Sequence, residues 1–217
     1  RAESMVRFFQ RSVDYMKANK VRVANMSWGL LPTDVEGRLE ANAIGATSEE
    51  SKEIAERVFA RLRQGMRDAL ASAPEILFIE AAGNSATDLQ FTGDIPGTRG
   101  LPNVMVVGAA DQTGRQTIYS VRGKGVDVYA NGHQISSRVP GGDEVTLSGA
   151  SLAAPQVSNL AAALLAIAPE LSVAELRALI VEGAEAPDPV TGIRRLDPRS
   201  SLARLETWME LHNPGHP

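Results

Sequence analysis

The chain has 217 residues, of which 43% are hydrophobic and 22% charged, so it can build one substantial core and is not a disordered or collagen-like polypeptide. Its net charge of -4 excludes a generally basic surface, and no nucleic-acid partner is expected. The absence of cysteine excludes disulfides, thiol nucleophiles and thiolate metal sites. The longest apolar run, residues 160–168, is shorter than the roughly 20 residues that cross a bilayer, so no membrane span is expected.

The first elements in the chain are predicted to be a helix and a strand. Residues 21–27 form a short apolar run that ends at Trp28, which is typical of a mostly buried strand. The start at Arg1, without Met or a secretory leader, favours an internal fragment of a longer protein. The helix before the strand at residues 21–27 is indicated by a one-sided apolar stripe of Met5, Phe9, Val13 and Met16.

A loop and a long helix are predicted next. Residues 30–47 lack periodicity and contain Pro32, which favours a long surface loop. Thr47 and Glu50 have the spacing of a capping box, and apolar residues at every fourth position then predict a helix up to Leu70.

The remainder of the chain alternates between buried strands and helices. Strands are predicted at residues 75–80, 103–109 and 127–130. Helices are predicted from Ser151 to Pro169, from a cap at Ser172 onward, and from Ser200 to about Leu211. This alternation predicts an α/β fold with a parallel sheet.

Residues 147–155, Leu-Ser-Gly-Ala-Ser-Leu-Ala-Ala-Pro, place Ser151 at the start of a buried helix. Unpaired N–H groups and the positive end of the helix favour the negative charge that develops when a hydroxyl attacks a carbonyl. Gly149 and Ala150 leave room for a substrate, and Pro155 is expected in the first helical turn, where its missing N–H costs nothing. Taken alone, the pattern favours a serine that only caps a core helix.

A second segment, Ala-Ala-Gly-Asn at residues 81–84, follows a predicted strand. Open parallel sheets bind ligands at the carboxyl ends of their strands, where the Asn84 amide could donate a hydrogen bond to an oxyanion. Taken alone, Gly83-Asn84 is an ordinary turn signal.

Together with Asn-Met-Ser-Trp-Gly at residues 25–29, these two segments resemble three sequence blocks of the subtilases, the subtilisin-like serine peptidases, in the same order. Residues 125–132 and 192–202 resemble two further blocks. The resemblance implies a subtilisin-like three-layer α/β/α fold with a mainly parallel sheet, its N-terminal portion missing. It also implies a catalytic domain in residues 1–205 and a flexible tail in residues 206–217.

The resemblance implies that the intact protein is a serine endopeptidase acting on polypeptides, with Ser151 as the nucleophile. Asn84 and the Ser151 N–H would form the oxyanion hole. The implied substrate-binding residues are Ser27, Trp28, Gly29, Ala82 and Gly83. The first three would pair with the substrate backbone, and the last two would line the specificity pocket. Trp28 could equally wall a substrate subsite or cover the core.

The resemblance implies no metal or cofactor except the calcium that many subtilases bind. The carboxylates that could suggest a calcium site are Asp88, Asp94 and Asp111. They are scattered among predicted turns and do not form a dense carboxylate loop, so solvated turn residues are the favoured interpretation.

The triad order in subtilases is Asp, His, Ser, so both partners of Ser151 should precede Asn25. The residues before Asn25 contain Asp14, inside a predicted helix, and no histidine. His133 is interpreted as a solvated turn residue, and the tail that carries His212 and His216 as disordered. The catalytic Asp and His are therefore expected in an upstream segment or a separate chain, and these 217 residues are expected to be inactive by themselves.

Three alternatives stay open at this point. The first is an inactive pseudoprotease or peptide-binding module with the same fold. An α/β-hydrolase esterase would need Gly at the position of Ala153, and a sedolisin-type peptidase would need Asp at the position of Asn84. The family resemblance also favours a secreted or periplasmic location.

Overall fold

The structure is a computed structural model that describes residues 2–29, 32–45, 47–84, 100–115, 117–121 and 125–212. Its helices are α1 (Ala2–Ala18), α2 (Pro32–Ala41), α3 (Ser48–Ala71), α4 (Ala150–Ile167), α5 (Val173–Gly183) and α6 (Pro198–His212). Its strands are β1 (Val23–Met26), β2 (Leu77–Ala81), β3 (Val104–Ala110), β4 (Val128–Asn131), β5 (Ile135–Arg138) and β6 (Glu144–Leu147).

Four strands form one sheet in the order β1-β2-β3-β4, and every neighbouring pair is parallel. This confirms the prediction of a parallel sheet. Because the strands are parallel, their carboxyl ends lie along one edge of the sheet. The last two strands, β5 and β6, form a separate antiparallel pair before α4.

Helices cover both faces of the sheet. Leu77 and Ile79 of β2 pack into one core with residues of α4, α5 and α6. Phe78, which lies between them, packs into a second core with residues of α1 and α3. Successive side chains of a strand point to opposite faces, so burial on both faces produces nearly continuous apolar strands. The result is the predicted three-layer α/β/α fold.

The central helix, α4, is the one helix in the described ranges whose length and apolar composition would suffice to cross a membrane. Its apolar residues pack against the sheet instead. Val157, Leu160 and Leu164 are buried in the same core as Leu77 and Ile79. Its apolar character is therefore explained by its position as the core helix of the domain.

The predicted loop at residues 30–47 is wrong over part of its length, because Pro32–Ala41 form α2. Val35 is buried, and Leu39, one helical turn later, packs against the same core cluster. Two apolar residues at this spacing are enough to pack a short helix against α3. They are too few to be recognised as a helical period in the sequence.

The predicted helix from Ser200 to about Leu211 is confirmed as α6, which continues to His212, so the flexible tail expected in residues 206–217 is not found over residues 206–212. The Nε1 atom of Trp208 donates a hydrogen bond to Glu175 in α5 at 3.1 Å, and the His212 ring stacks on Trp208. The predicted cap of α5 at Ser172 is confirmed, and Ser172 forms a capping box with Glu175, in which the hydrogen bond from the Ser172 hydroxyl lowers the pKa of Glu175. Residues 213–217, including His216, lie outside the described residues.

Candidate active site

Ser151 is the second residue of α4, and its side chain is half-buried. The first N–H groups of a helix have no partner inside the helix. Here the Ala150 N–H donates to the Asn84 side chain, whereas the Ser151 N–H has no partner in the part of the chain that the structure describes. Ser151 therefore presents a hydroxyl and a free backbone donor at the positive end of a buried helix.

Asn84 lies three residues after the end of β2, at the carboxyl edge of the sheet. Its Oδ1 atom accepts the Ala150 N–H at 2.8 Å, which ties the end of β2 to the start of α4. This bond fixes the orientation of the amide, so the Nδ2 atom is the donor that stays available. Nδ2 has no hydrogen-bond partner among the described residues.

Gly149 lies between these two side chains. A Cβ atom built on Gly149 would be 3.1 Å from Asn84 Nδ2 and 3.2 Å from Ser151 Oγ. Its φ angle of +154° is also one that side-chain-bearing residues rarely adopt. The amide nitrogen and the hydroxyl thus flank a small space that exists because residue 149 has no side chain.

With Ser151 as the expected nucleophile and Asn84 as the expected oxyanion donor, we expect Gly149→Ala to lower kcat in the intact protein by about 100-fold, because displacing reacting groups by about 1 Å has an effect of that size. A matched control is Gly142→Ala, where φ is also positive, at +92°, but nothing lies within 4 Å of the added Cβ. Kinetics on a peptide substrate and thermal unfolding should show that Gly142→Ala affects stability and not kcat. Equal kcat losses in both variants would mean that backbone strain, and not the filled space, is responsible.

The segment 27–29 follows β1 and lies beside the start of α4. The Ser27 hydroxyl donates a hydrogen bond to the Ser151 carbonyl at 2.9 Å. Trp28 stacks on Phe9 of α1 with ring centroids 5.9 Å apart, yet 43% of its surface stays exposed. One face of Trp28 therefore covers the core, and Gly29 beside it is exposed.

The other two residues assigned to substrate binding lie between β2 and Asn84. Ala82 is buried and packs against Val106 and Val121, so its side chain belongs to the core. Gly83 is half-buried. At these two positions, backbone groups are what a substrate could contact.

No histidine or carboxylate in the described ranges hydrogen bonds to Ser151 Oγ. His133 lies in the turn after β4, as predicted, but it is half-buried and packs beside Tyr119, and its Nδ1 atom is shielded from solvent. The interpretation of His133 as a solvated residue is therefore wrong. His212 is the last residue of α6 and not part of a disordered tail. Neither histidine supplies a base to Ser151.

Asp111 uses its carboxylate to stabilise its own turn. One oxygen accepts hydrogen bonds from the Thr113 hydroxyl and from the backbone N–H groups of Thr113 and Arg115. The Thr113 hydroxyl is the main reason that the pKa of Asp111 is lowered. Asp88 and Asp94 lie outside the described residues, so their interpretation as solvated turn residues stays a prediction.

The predicted position of Pro155 is wrong. It is the sixth residue of α4 and lies beyond the first turn, because the helix already begins at Ala150. An interior proline removes the N–H that would bond to the carbonyl four residues earlier, which here belongs to Ser151. The Ser27 hydroxyl donates to that same carbonyl. The sequence contains both residues but gives no sign that they act on one atom.

A parallel sheet between two helical layers, with a serine at a buried helix start and an asparagine at the carboxyl edge, defines an α/β protein of the serine-hydrolase type. The chain belongs to the subtilase family, whose sequence model matches residues 4–203.

Two curated relatives illustrate the similarity. Alkaline elastase YaB from Bacillus sp. (strain YaB) is 34% identical over 103 residues, which make up 48% of this chain and 25% of that protein. Subtilisin-like serine protease Pen ch 13 from Penicillium rubens is 36% identical over 106 residues, 48% of this chain and 26% of that protein. The matched segment thus spans about a quarter of the length of each relative.

Solved structures agree with the fold. A cold adapted subtilisin-like serine proteinase superposes with a TM-score of 0.62 at 26% identity, over 86% of this chain and 58% of that one. The self-cleaved protease domain of PatA superposes with a TM-score of 0.67 over 91% of this chain and 67% of that one. At 24% identity, this second likeness is one of fold alone.

Proposed function

We propose that this chain is the C-terminal portion of a subtilisin-like serine endopeptidase that hydrolyses peptide bonds with Ser151 as nucleophile. The observation that carries the proposal is the arrangement around Gly149. There the Ser151 hydroxyl and the Asn84 amide nitrogen lie 3.2 and 3.1 Å from one point, and neither the amide nitrogen nor the Ser151 N–H has an acceptor among the described residues.

In the proposed reaction, Ser151 Oγ attacks the scissile carbonyl carbon while a general base takes the hydroxyl proton. The carbonyl oxygen becomes an oxyanion, which accepts hydrogen bonds from Asn84 Nδ2 and the Ser151 N–H. The base then returns the proton to the leaving amine, and water hydrolyses the acyl-enzyme by the same steps in reverse order. Fixed donors of this kind stabilise the charge of the transition state without having to reorganise.

The catalytic His and Asp are proposed to come from polypeptide outside these 217 residues, either upstream in the intact protein or in a separate chain. The lack of a partner for Ser151 Oγ within the described residues supports this. A serine hydroxyl without a base is a poor nucleophile. The 217 residues by themselves are therefore expected to be inactive.

The substrate is proposed to be an extended polypeptide that pairs with the backbone of Ser27, Trp28 and Gly29. Main-chain hydrogen bonds provide affinity without reading side chains, which favours broad specificity. Ala82 and Gly83 would contribute backbone groups to the wall of the specificity pocket. Membership of the subtilase family supports a secreted or periplasmic location for the intact protein.

A fluorophosphonate probe tests the proposal, because only an activated serine reacts readily with it. We expect the intact protein to be labelled at Ser151 and to cleave denatured casein, while the 217-residue chain does neither. Labelling sites are read by peptide mass spectrometry. Casein cleavage by the 217-residue chain that disappears on Ser151→Ala would disprove its expected inactivity.

A pseudoprotease or peptide-binding module is the second candidate, and the observation that favours it is that the Ser151 hydroxyl has no partner within the described ranges. In that case the segment 27–29 would hold peptides that are never cut. An intact protein that binds casein peptides but gives no label at Ser151 would support this candidate over the peptidase.

A further inference from the structure

The carbonyl oxygen of Ser151 has an unusual environment for a residue inside a helix. In a regular α-helix it would accept the N–H of the residue four positions later, but that residue is Pro155, which has no N–H. Instead, the Ser27 hydroxyl donates to this oxygen at 2.9 Å from a segment 124 residues earlier in the chain. A side chain at the end of β1 thus takes the place of a missing helix hydrogen bond.

The Ser27 hydroxyl is itself held in place by Asn25. The Asn25 amide nitrogen donates to Ser27 Oγ at 2.8 Å, so one lone pair of that oxygen is occupied and its hydrogen is directed at Ser151. The Ser158 hydroxyl lies 3.2 Å from the Asn25 amide oxygen and 3.1 Å from the Ala154 carbonyl, so its one hydrogen is shared between these two acceptors. The bond from Ser27 to the Ser151 carbonyl is partly buried, whereas the bonds that Asn25 makes to Ser27 and Ser158 are exposed to solvent.

We infer that Ser27 is a positioning residue for the nucleophile, acting through the Ser151 carbonyl that Pro155 leaves without its helical partner. This inference rests on the proposed function, because it assigns a role within the same reaction. The bond orients the peptide group that follows Ser151. It thereby holds the Cα atom of Ser151, which carries both the side chain that ends in Oγ and the backbone nitrogen that bears the N–H donor.

The arrangement also links substrate binding to the nucleophile. Ser27 belongs to the segment proposed to pair with the substrate backbone, and its side chain is bonded to the residue proposed to attack. A substrate paired with this segment is therefore connected through Ser27 to the carbonyl of Ser151. The side chain of Ser27 acts on the reaction step, whereas its backbone acts on binding.

The inference is tested by removing the hydroxyl in the intact protein. We expect Ser27→Ala to lower both kcat on a peptide substrate and the fluorophosphonate labelling rate by about tenfold, the effect of leaving a hydrogen-bonding group unsatisfied. KM should change by less than about twofold, because the backbone that binds substrate is unchanged. Ser27→Thr keeps the hydroxyl and should retain most of kcat.

Repeating the Ser27→Ala substitution in a Pro155→Ala variant makes the test specific for the Ser151 carbonyl. Pro155→Ala restores an N–H four residues after Ser151, so this carbonyl regains its helical donor. In that background we expect Ser27→Ala to lower kcat by less than about threefold, since coupled residues have non-additive effects. An equal loss in both backgrounds would overturn the inference, because Ser27 would then act through some other contact.

Ser12→Ala is the matched control. It also removes a serine hydroxyl that donates to a helix carbonyl at 2.9 Å, but in α1, where it contacts Phe8. This variant should have the kcat of the unmodified protein. If Ser27→Ala retains full kcat while the unmodified protein is labelled at Ser151, the inference fails and the peptidase proposal stands. If the unmodified protein is not labelled, the peptidase proposal itself fails.

Discussion

Ser151→Ala in the intact protein is expected to lower kcat by about a millionfold, because loss of the nucleophile in subtilisin, a member of the same family, costs about 2 × 10⁶. The hydroxyl makes no hydrogen bond within the described residues, and the side chain is half-buried, so its removal should leave the fold intact. The change in kcat is therefore expected without a change in the melting temperature. Steady-state kinetics and thermal unfolding of the same preparations measure both.

Ser148→Ala is the control for this experiment. Ser148 lies three residues earlier, is exposed, and uses its hydroxyl to accept the Gln134 N–H at 2.9 Å in the neighbouring turn. It should retain kcat within about threefold, as expected of a surface substitution that removes one exposed hydrogen bond. A Ser151→Ala variant that kept more than about one per cent of kcat would show that another group is the nucleophile.

The sheet could be predicted from sequence because each of its strands is marked by local composition. All seven residues of β3, Val104–Ala110, are buried, and the sequence shows the same run as an uninterrupted apolar segment. What escaped prediction depends on contacts between distant residues. Residues Pro32–Ala41 are helical partly because Val35 and Leu39 pack into the core cluster that also contains residues of α3. The sequence of residues 30–47 carries no record of that partner.

The candidate site also combines residues that local sequence marks with contacts that only the fold creates. Ser151 and Asn84 stand out in sequence because small residues and turn signals surround each of them, and the family resemblance joins them. The bond from Ala150 to Asn84 spans 66 residues, and the bond from Ser27 to Ser151 spans 124. Sequence spacing alone gave no reason to connect Pro155 with Ser27, because the connection depends on the position of β1 against α4.

Asn84 has two separate functions in the structure, and two substitutions can distinguish them. Its Oδ1 atom accepts the Ala150 N–H, and its Nδ2 atom has no acceptor in the part of the chain that the structure describes. Asn84→Asp keeps an acceptor for Ala150 and removes the donor, whereas Asn84→Ala removes both. Loss of the acceptor leaves a helix N–H unsatisfied, which costs about 1 kcal/mol of stability. Asn84→Ala should therefore unfold at a lower temperature than Asn84→Asp.

Both variants should lower kcat by about 10² to 10³, the loss found when the corresponding donor is removed in subtilisin, while KM stays nearly constant. The effect falls on kcat because the donor acts on charge that exists only in the transition state. Full kcat in Asn84→Asp would show that the amide nitrogen does not contact the oxyanion. A loss of kcat in Asn84→Ala alone would instead identify the bond to Ala150 as the contribution that matters, and Asn84 would then be a residue that positions the start of α4.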